Sequence, residues 1–213
     1  MELRRYALFT YHLSRSTDLL THLLPDAQNT PAIHLSWMTN MTCEASNSGS
    51  QGATAVAIEK ATFGAGCFWG VEARLAELTG VIDTAAGYEG GDLEHPTYKE
   101  VCTDRTGHAE VVQVTFDPSR LSYETLLDAF FALHDPTQVN RQGPDWGTQY
   151  RSVIFAHSDQ QFIQARAKVA ELNASGTYRL PIATQVMPAA IFWKAEEYHQ
   201  RYLEKRGMVS CHI

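Results

Sequence analysis

The chain has 213 residues, enough for one domain with an appended segment, and its composition, 44% hydrophobic and 19% charged, can bury a sizeable core. Seventeen Lys and Arg stand against 24 Asp and Glu, and a formal charge of −7 argues against the basic stripe of a nucleic-acid binder or a polybasic membrane-surface protein. The longest apolar runs fall far short of the roughly 18 residues of a membrane-crossing helix, so neither a nucleic acid nor a membrane is expected as a partner.

Residues 1–57 read as a flexible N-terminal extension. The first 24 mix Arg4, Arg5 and Arg15 with Leu, Tyr, Ser and Thr and carry only Glu2 and Asp18 as acids, a weak match to a mitochondrial transit segment. The run at 45–54 is small and polar, like a linker. No apolar stretch of the secretory kind is evident, which points to the cytoplasm, or to the mitochondrion if the extension is a targeting segment.

From residue 58 the pattern alternates. Residues 58–66 are apolar and β-like, and 68–78 have helical spacing with Val71, Leu75 and Leu78 on one face. Gly87 and Gly90–Gly91 read as turns. Residues 108–116 alternate cleanly, with Glu110, Val112, Val114 and Phe116 on one face, and Asp117-Pro118 ends the strand. A helix follows over 122–134, then a long polar loop at 135–150, of a length that is often functional. A short strand at 152–156, a helix over 159–172 capped by Ser158, a strand-like run at 184–193 and a final helix complete the chain, Glu196 and Glu197 lying on its solvated face. The sum is one α+β domain over 58–213, an α/β two-layer sandwich. Its expected core is ferredoxin-like (split βαβ), with long functional loops and an irregular C-terminal tail.

Four cysteines, at 43, 67, 102 and 211, make no C-x-x-C pair, and nine histidines make no H-x-x-x-H pair on a predicted helix, so no metal site is expected. Cys67 stands out. In Gly64-Ala65-Gly66-Cys67-Phe68-Trp69-Gly70 it sits where a strand gives way to a helix. Glycines permit the tight turn, and a helix N-terminus favours thiolate through its macrodipole and unpaired amides. A buried, inert thiol is the competing reading at even weight. A cysteine hydrolase fits the same physics and would need a histidine to activate the thiol; His108, His134 and His199 are candidates.

Four further strings narrow the choice. Gly66 to Glu72 (GCFWGVE), Ala86 to Gly91 followed by His95-Pro96-Thr97-Tyr98, Thr106 to Glu110 (TGHAE), and Asn140 to Ser152 (NRQGPDWGTQYRS) occur in that order. In motif, order and spacing the chain over about 58–211 resembles the A-type peptide methionine sulfoxide reductases. The resemblance implies reduction of the S epimer of methionine sulfoxide, in proteins and free, with no cofactor beyond thioredoxin or dithiothreitol as reductant. It implies Cys67 as nucleophile, Glu110 as the acid that protonates the sulfoxide oxygen, and Tyr98 and Tyr150 as hydroxyls that hold that oxygen. Phe68 and Trp69 match the pocket for the substrate methyl group, and Asp145 a carboxylate beside the site. Cys211, the third-last residue, matches the resolving cysteine of a Cys67–Cys211 disulfide, recycled by thioredoxin. Cys43 and Cys102 are expected to be bystanders and the enzyme a monomer. Independently of the resemblance, strand alternation puts Glu110 on an apolar face, where desolvation raises a carboxyl pKa and makes its proton available near neutrality.

Overall fold

The structure, a computed structural model, describes residues 57–208. The readings for residues 1–56 and for 209–213, Cys43 and Cys211 included, lie outside the described residues. In chain order the elements are β1 (Glu59–Ala65), α1 (Phe68–Ala76), β2 (Val81–Glu89), α2 (Tyr98–Val101), β3 (Ala109–Phe116), α3 (Tyr123–Leu133), β4 (Arg141–Gln142) and β5 (Asp145–Trp146). A 3₁₀ turn at Thr148–Tyr150 leads to β6 (Ser152–Ala156), α4 (Asp159–Ser175), β7 (Gln185–Pro188), β8 (Trp193–Lys194) and α5 (Tyr202–Lys205).

Alternation decides the layering. Six strands form one sheet in the order β7-β6-β1-β3-β2-β8, antiparallel throughout except for the β6–β7 pair. On one face Phe63, Ala65, Tyr88, Val112, Val114, Phe116 and Ile154 are buried together with Val71 and Leu75 of α1, Leu126, Leu127 and Phe130 of α3, and Ala165 of α4. The Phe63 and Phe130 rings stack at 5.2 Å, and each fully buried side chain of this size contributes about 1.5–3 kcal/mol. The opposite face carries the smaller cluster Ala109, Val111, Val153 and Phe155, with Phe192 packed on it. The expected two-layer α+β domain is the one observed. Two of its longer helices start at side-chain caps: Ser122 Oγ accepts from Thr125 N at 3.1 Å before α3 and Ser158 Oγ from Gln161 N at 3.2 Å before α4. Among the described residues no helix is long and apolar enough to cross a membrane.

Three local expectations differ from the structure. Gly87 is not a turn but lies within β2, because a Cβ there would sit 2.4 Å from the Phe192 ring and 2.6 Å from the Trp193 carbonyl. The run at 184–193 is not one strand. It supplies β7 and β8 on opposite edges of the sheet, and Glu89 holds the connection by accepting the Ala190 amide at 2.8 Å. The final helix contracts to the single turn α5, and residues 197–200 form a turn instead. Gly87→Ala should therefore cost about 1–3 kcal/mol, the range for overpacking a filled site. Urea unfolding checks this, and a change below 0.5 kcal/mol would show that Phe192 moves aside freely.

Candidate active site

The strand-to-helix junction after β1 is built around Gly66. Its φ of +93° is a conformation that disfavours any Cβ, and a Cβ would also lie 2.8 Å from Gln142 Cβ. Gln142 is buried and closes its own loop, its amide bridging the Asp135 N–H and carbonyl at 3.2 and 3.1 Å. The β4–β5 hairpin is thereby set against the junction, with Gln142 opposite Asp145 across it. Cys67 occupies the N-cap position of α1, a half-buried thiol at the positive end of the helix.

Next to it, the Phe68 N–H donates to Glu110 Oε2 at 3.1 Å. Glu110 is 1% exposed, on the helix-covered face of β3 and directly opposite Tyr88 of β2. Burial pushes its carboxyl up to about 8, the Phe68 amide opposes that rise, and the nearby Asp145 charge adds to it. Near neutrality the group is largely a buried carboxylic acid, a proton donor one residue along from a thiol.

The two hydroxyls come from separate segments. Tyr98 begins α2, whose capping box (Thr97 and Glu100) fixes the start of that short helix. Tyr150 ends the 3₁₀ turn, anchored where Asp104 accepts from both the amide and the hydroxyl of Thr148. Arg151 then donates to the Thr148 and Gly107 carbonyls at 2.9 and 3.1 Å. Burial drives both phenols well above their usual range. Glu110 adds to the rise at each, and the Cys67 and Asp145 charges also act on Tyr150. Both therefore stay protonated, as neutral donors.

Phe68 is buried, its ring 5.9 Å from that of Tyr88, and Trp69 lies flat on Tyr202 at 3.8 Å and 8°. The Trp69 indole N–H donates to His199 Nδ1 at 2.9 Å, so His199 carries its proton on Nε2. Cys67, Phe68, Trp69, Tyr98, Glu110, Asp145 and Tyr150 thus converge through these bonds, ring contacts and charges. Cys102, expected to be a bystander, lies one helical turn after Tyr98, its amide donating to the Tyr98 carbonyl at 2.9 Å, and partial burial raises its thiol pKa. The sequence reading missed the turn carrying Glu196, His199 and Gln200. The run 195–203 carries helical apolar spacing at Ala195, Tyr198, Tyr202 and Leu203, so periodicity alone pointed to a helix there and gave no signal of the turn.

The hydrolase alternative fails on its histidines. His108 accepts the Gly91 amide on Nδ1 at 3.1 Å and donates from Nε2 to the Leu93 carbonyl at 2.8 Å, so it staples a turn. His134 donates to the Phe130 carbonyl from Nδ1 and accepts from Ser152 on Nε2, and His199 is turned between Trp69 and Glu196. Among the described residues no cluster of three or more His, Cys, Asp or Glu side chains is placed to hold a metal.

A thiol at a helix start, a buried neutral acid and two neutral phenols define a thiol-dependent oxidoreductase site that can protonate an oxygen atom. The family model for peptide methionine sulfoxide reductase matches residues 59–213. A peptide methionine sulfoxide reductase MsrA of Acidobacterium capsulatum is 67% identical over 154 residues, 72% of this chain and 99% of that protein. One from Methanoculleus marisnigri is 60% identical over the same share of this chain and 94% of its own. Among solved structures, reduced Mxr1 from Saccharomyces cerevisiae superposes with a TM-score of 0.67 at 39% identity, covering 70% of this chain and 86% of that one. Methionine sulfoxide reductase A of Corynebacterium diphtheriae gives 0.64 at 38%, covering 72% and 77%. This chain belongs to the peptide methionine sulfoxide reductase family and is a thiol-dependent reductase of methionine sulfoxide.

The Glu110 environment has a consequence for stability. Its folded pKa is raised above the unfolded value, so the stability it contributes is complete below about pH 4.5 and is lost as pH rises through about 8. Glu110→Gln should therefore be more stable than the parent at pH 9 and nearly equal to it at pH 4. Thermal unfolding at both pH values checks this. Glu89, which burial pushes up to about 7, keeps its own slope in both proteins and cancels in the comparison.

Proposed function

We propose that the chain reduces the S epimer of methionine sulfoxide, in oxidised proteins and free, through a sulfenic acid on Cys67. The observation that carries this reading is the bond between the Phe68 amide and the buried acid Glu110, which sets a proton donor beside the thiol. Cys67 Sγ attacks the sulfoxide sulfur while Glu110 gives its proton to the oxygen and Tyr98 and Tyr150 hydrogen-bond that oxygen. The oxygen ends on Cys67 as S–OH, the methionine sulfur is reduced by two electrons and the cysteine is oxidised by two. Phe68 and Trp69 receive the substrate methyl group, and Asp145 tunes the acid by its charge.

Cys211 then attacks the sulfenic acid, releasing water and forming a Cys67–Cys211 disulfide, which a thioredoxin dithiol reduces. Met208 lines a groove together with Trp69. Three residues span at most roughly 11 Å, which gives Cys211 a short search for Cys67. The same reading has the enzyme act as a cytoplasmic monomer without metal or organic cofactor. Residues 1–57 are read as a flexible extension, a targeting segment or a spacer, before a catalytic domain at 58–213. A mature N-terminal mass that begins well after Met1 would identify a cleaved targeting segment.

Cys67→Ser should abolish conversion of the S sulfoxide with dithiothreitol, and persisting turnover would remove Cys67 as nucleophile. Cys211→Ser should release one methionine per enzyme yet lose at least tenfold in thioredoxin-driven cycling. Unchanged cycling would transfer the resolving role to Cys102, which lies against Tyr98, or to direct attack by thioredoxin.

A further inference from the structure

The sequence reading set Glu196 aside as a solvated surface acid, and the structure gives it a different position. Its carboxylate is half-buried and bonded on both oxygens: Oε2 accepts the Tyr88 hydroxyl at 2.9 Å, and Oε1 accepts the Tyr98 backbone N–H at 2.9 Å. Tyr98 N–H is the first amide of α2, a donor that no residue of that helix can satisfy. His199 Nε2 lies 4.0 Å from Oε2, and the His199 amide closes the turn onto the Glu196 carbonyl at 2.9 Å. Glu197, its chain neighbour, is exposed and only meets Lys194 and Lys205.

The turn that carries Glu196 is itself bolted down. Gln200 brackets the β2 edge, accepting the Ala86 amide and donating to the Ala86 and Ala195 carbonyls, all at 2.9 Å. The Arg201 amide donates to buried Glu72 of α1 at 2.7 Å. One carboxylate on a rigid turn therefore fixes the start of the helix that presents the Tyr98 hydroxyl, and grips the tip of Tyr88, which underlies Phe68 and stands opposite Glu110.

We propose that Glu196 is a positioning residue for sulfoxide reduction, holding Tyr98 and Tyr88 so that the Tyr98 hydroxyl meets the sulfoxide oxygen at the distance that the proton transfer from Glu110 requires. The carboxylate acts as a bidentate acceptor. Burial works against its ionised form, but the hydrogen bonds from the Tyr98 amide and the Tyr88 hydroxyl help to outweigh it, and the group stays below the ordinary carboxylate range. Glu110 and Glu196 thus hold opposite protonation states within one site, the first as donor and the second as anchor. The proposal rests on the reading of Tyr98 as an oxygen-holding hydroxyl.

The test is single-turnover methionine formation from a peptide with S-methionine sulfoxide, which bypasses recycling, read alongside the KM of steady-state turnover with dithiothreitol. Glu196→Ala should lower the single-turnover rate by on the order of 10- to 100-fold, the scale of an ångström-level misplacement, with KM changed less than threefold. Glu196→Gln should recover most of that rate, because its amide oxygen still accepts the Tyr98 N–H and its NH₂ can donate to the Tyr88 oxygen. Glu197→Gln should match the parent. A parent-like rate in Glu196→Ala, or a Glu196→Gln as slow as Glu196→Ala, overturns the proposal. If Glu196→Ala does not fold, Tyr88→Phe takes its place. It removes one of the two grips, and a loss of several-fold in the single-turnover rate is expected, whereas a parent-like rate counts against the inference. Tyr98→Phe separates the two readings. A parent-like rate there removes the Tyr98 role itself, whereas a slow Tyr98→Phe with a parent-like Glu196→Ala removes only the anchoring role.

Discussion

The hydrogen bond from the Phe68 amide to Glu110 Oε2 organises most of the site. It crosses from the first turn of α1 to the start of β3, so it sets the helix that carries the thiol in register with the strand that carries the acid. A charged carboxylate would accept that amide more strongly, yet burial dominates and leaves the group protonated up to about pH 8. The compromise suits a proton donor: one amide orients the acid without ionising it. Gly66 is the covalent counterpart, since only a residue without Cβ can make the left-handed turn against Gln142 that delivers Cys67 to the helix start.

Around this bond the sheet supplies a gradient of environments. Tyr88, Tyr98 and Tyr150 are all held far above the phenol range by burial, and Glu110 reinforces the rise at each. Farther out, amides and a hydroxyl converge on Glu196 and keep it ionised. Charge is thus displaced from the reacting centre to its rim, and hydrogen-bond donors are left facing inward.

Much of this was legible in the residues, for identifiable reasons. The period-two pattern of β3 placed Glu110 on the face shared by Val112, Val114 and Phe116, and burial of that face is what raises its pKa. Ser122 and Ser158 announced their helices by local hydrogen bonding that needs no tertiary context. What escaped was non-local. Gly87 reads as a turn until the Phe192 ring, more than a hundred residues away, is known to fill the space of its side chain. The run 184–193 is locally extended throughout, and only the sheet assigns its ends to opposite edges. Glu196 looks like any surface acid, because its partners Tyr88 and Tyr98 lie about a hundred residues before it and carry no periodic trace of the contact.

A site made of donors also bears on how product leaves. On the proposed reading, the sulfoxide oxygen is a strong acceptor that meets a protonated carboxyl and two phenols at once, and buried donors without an acceptor are costly by about 1–3 kcal/mol each. Methionine, once its oxygen has passed to Cys67, offers only a weakly accepting thioether. The two phenols then lose their partner on the substrate and find it on the enzyme, in the oxygen of the Cys67 sulfenic acid, while Glu110, having given up its proton, can accept from that S–OH. Reduction thus weakens the grip on the product and strengthens the hold on the intermediate in the same step, with no movement of the sheet required. On the same proposed reading, an aromatic wall of Phe68 and Trp69 would hold the methyl group equally well before and after reaction. Such a wall strengthens binding of sulfoxide and thioether alike, so the preference for the oxidised side chain would rest on the donors alone.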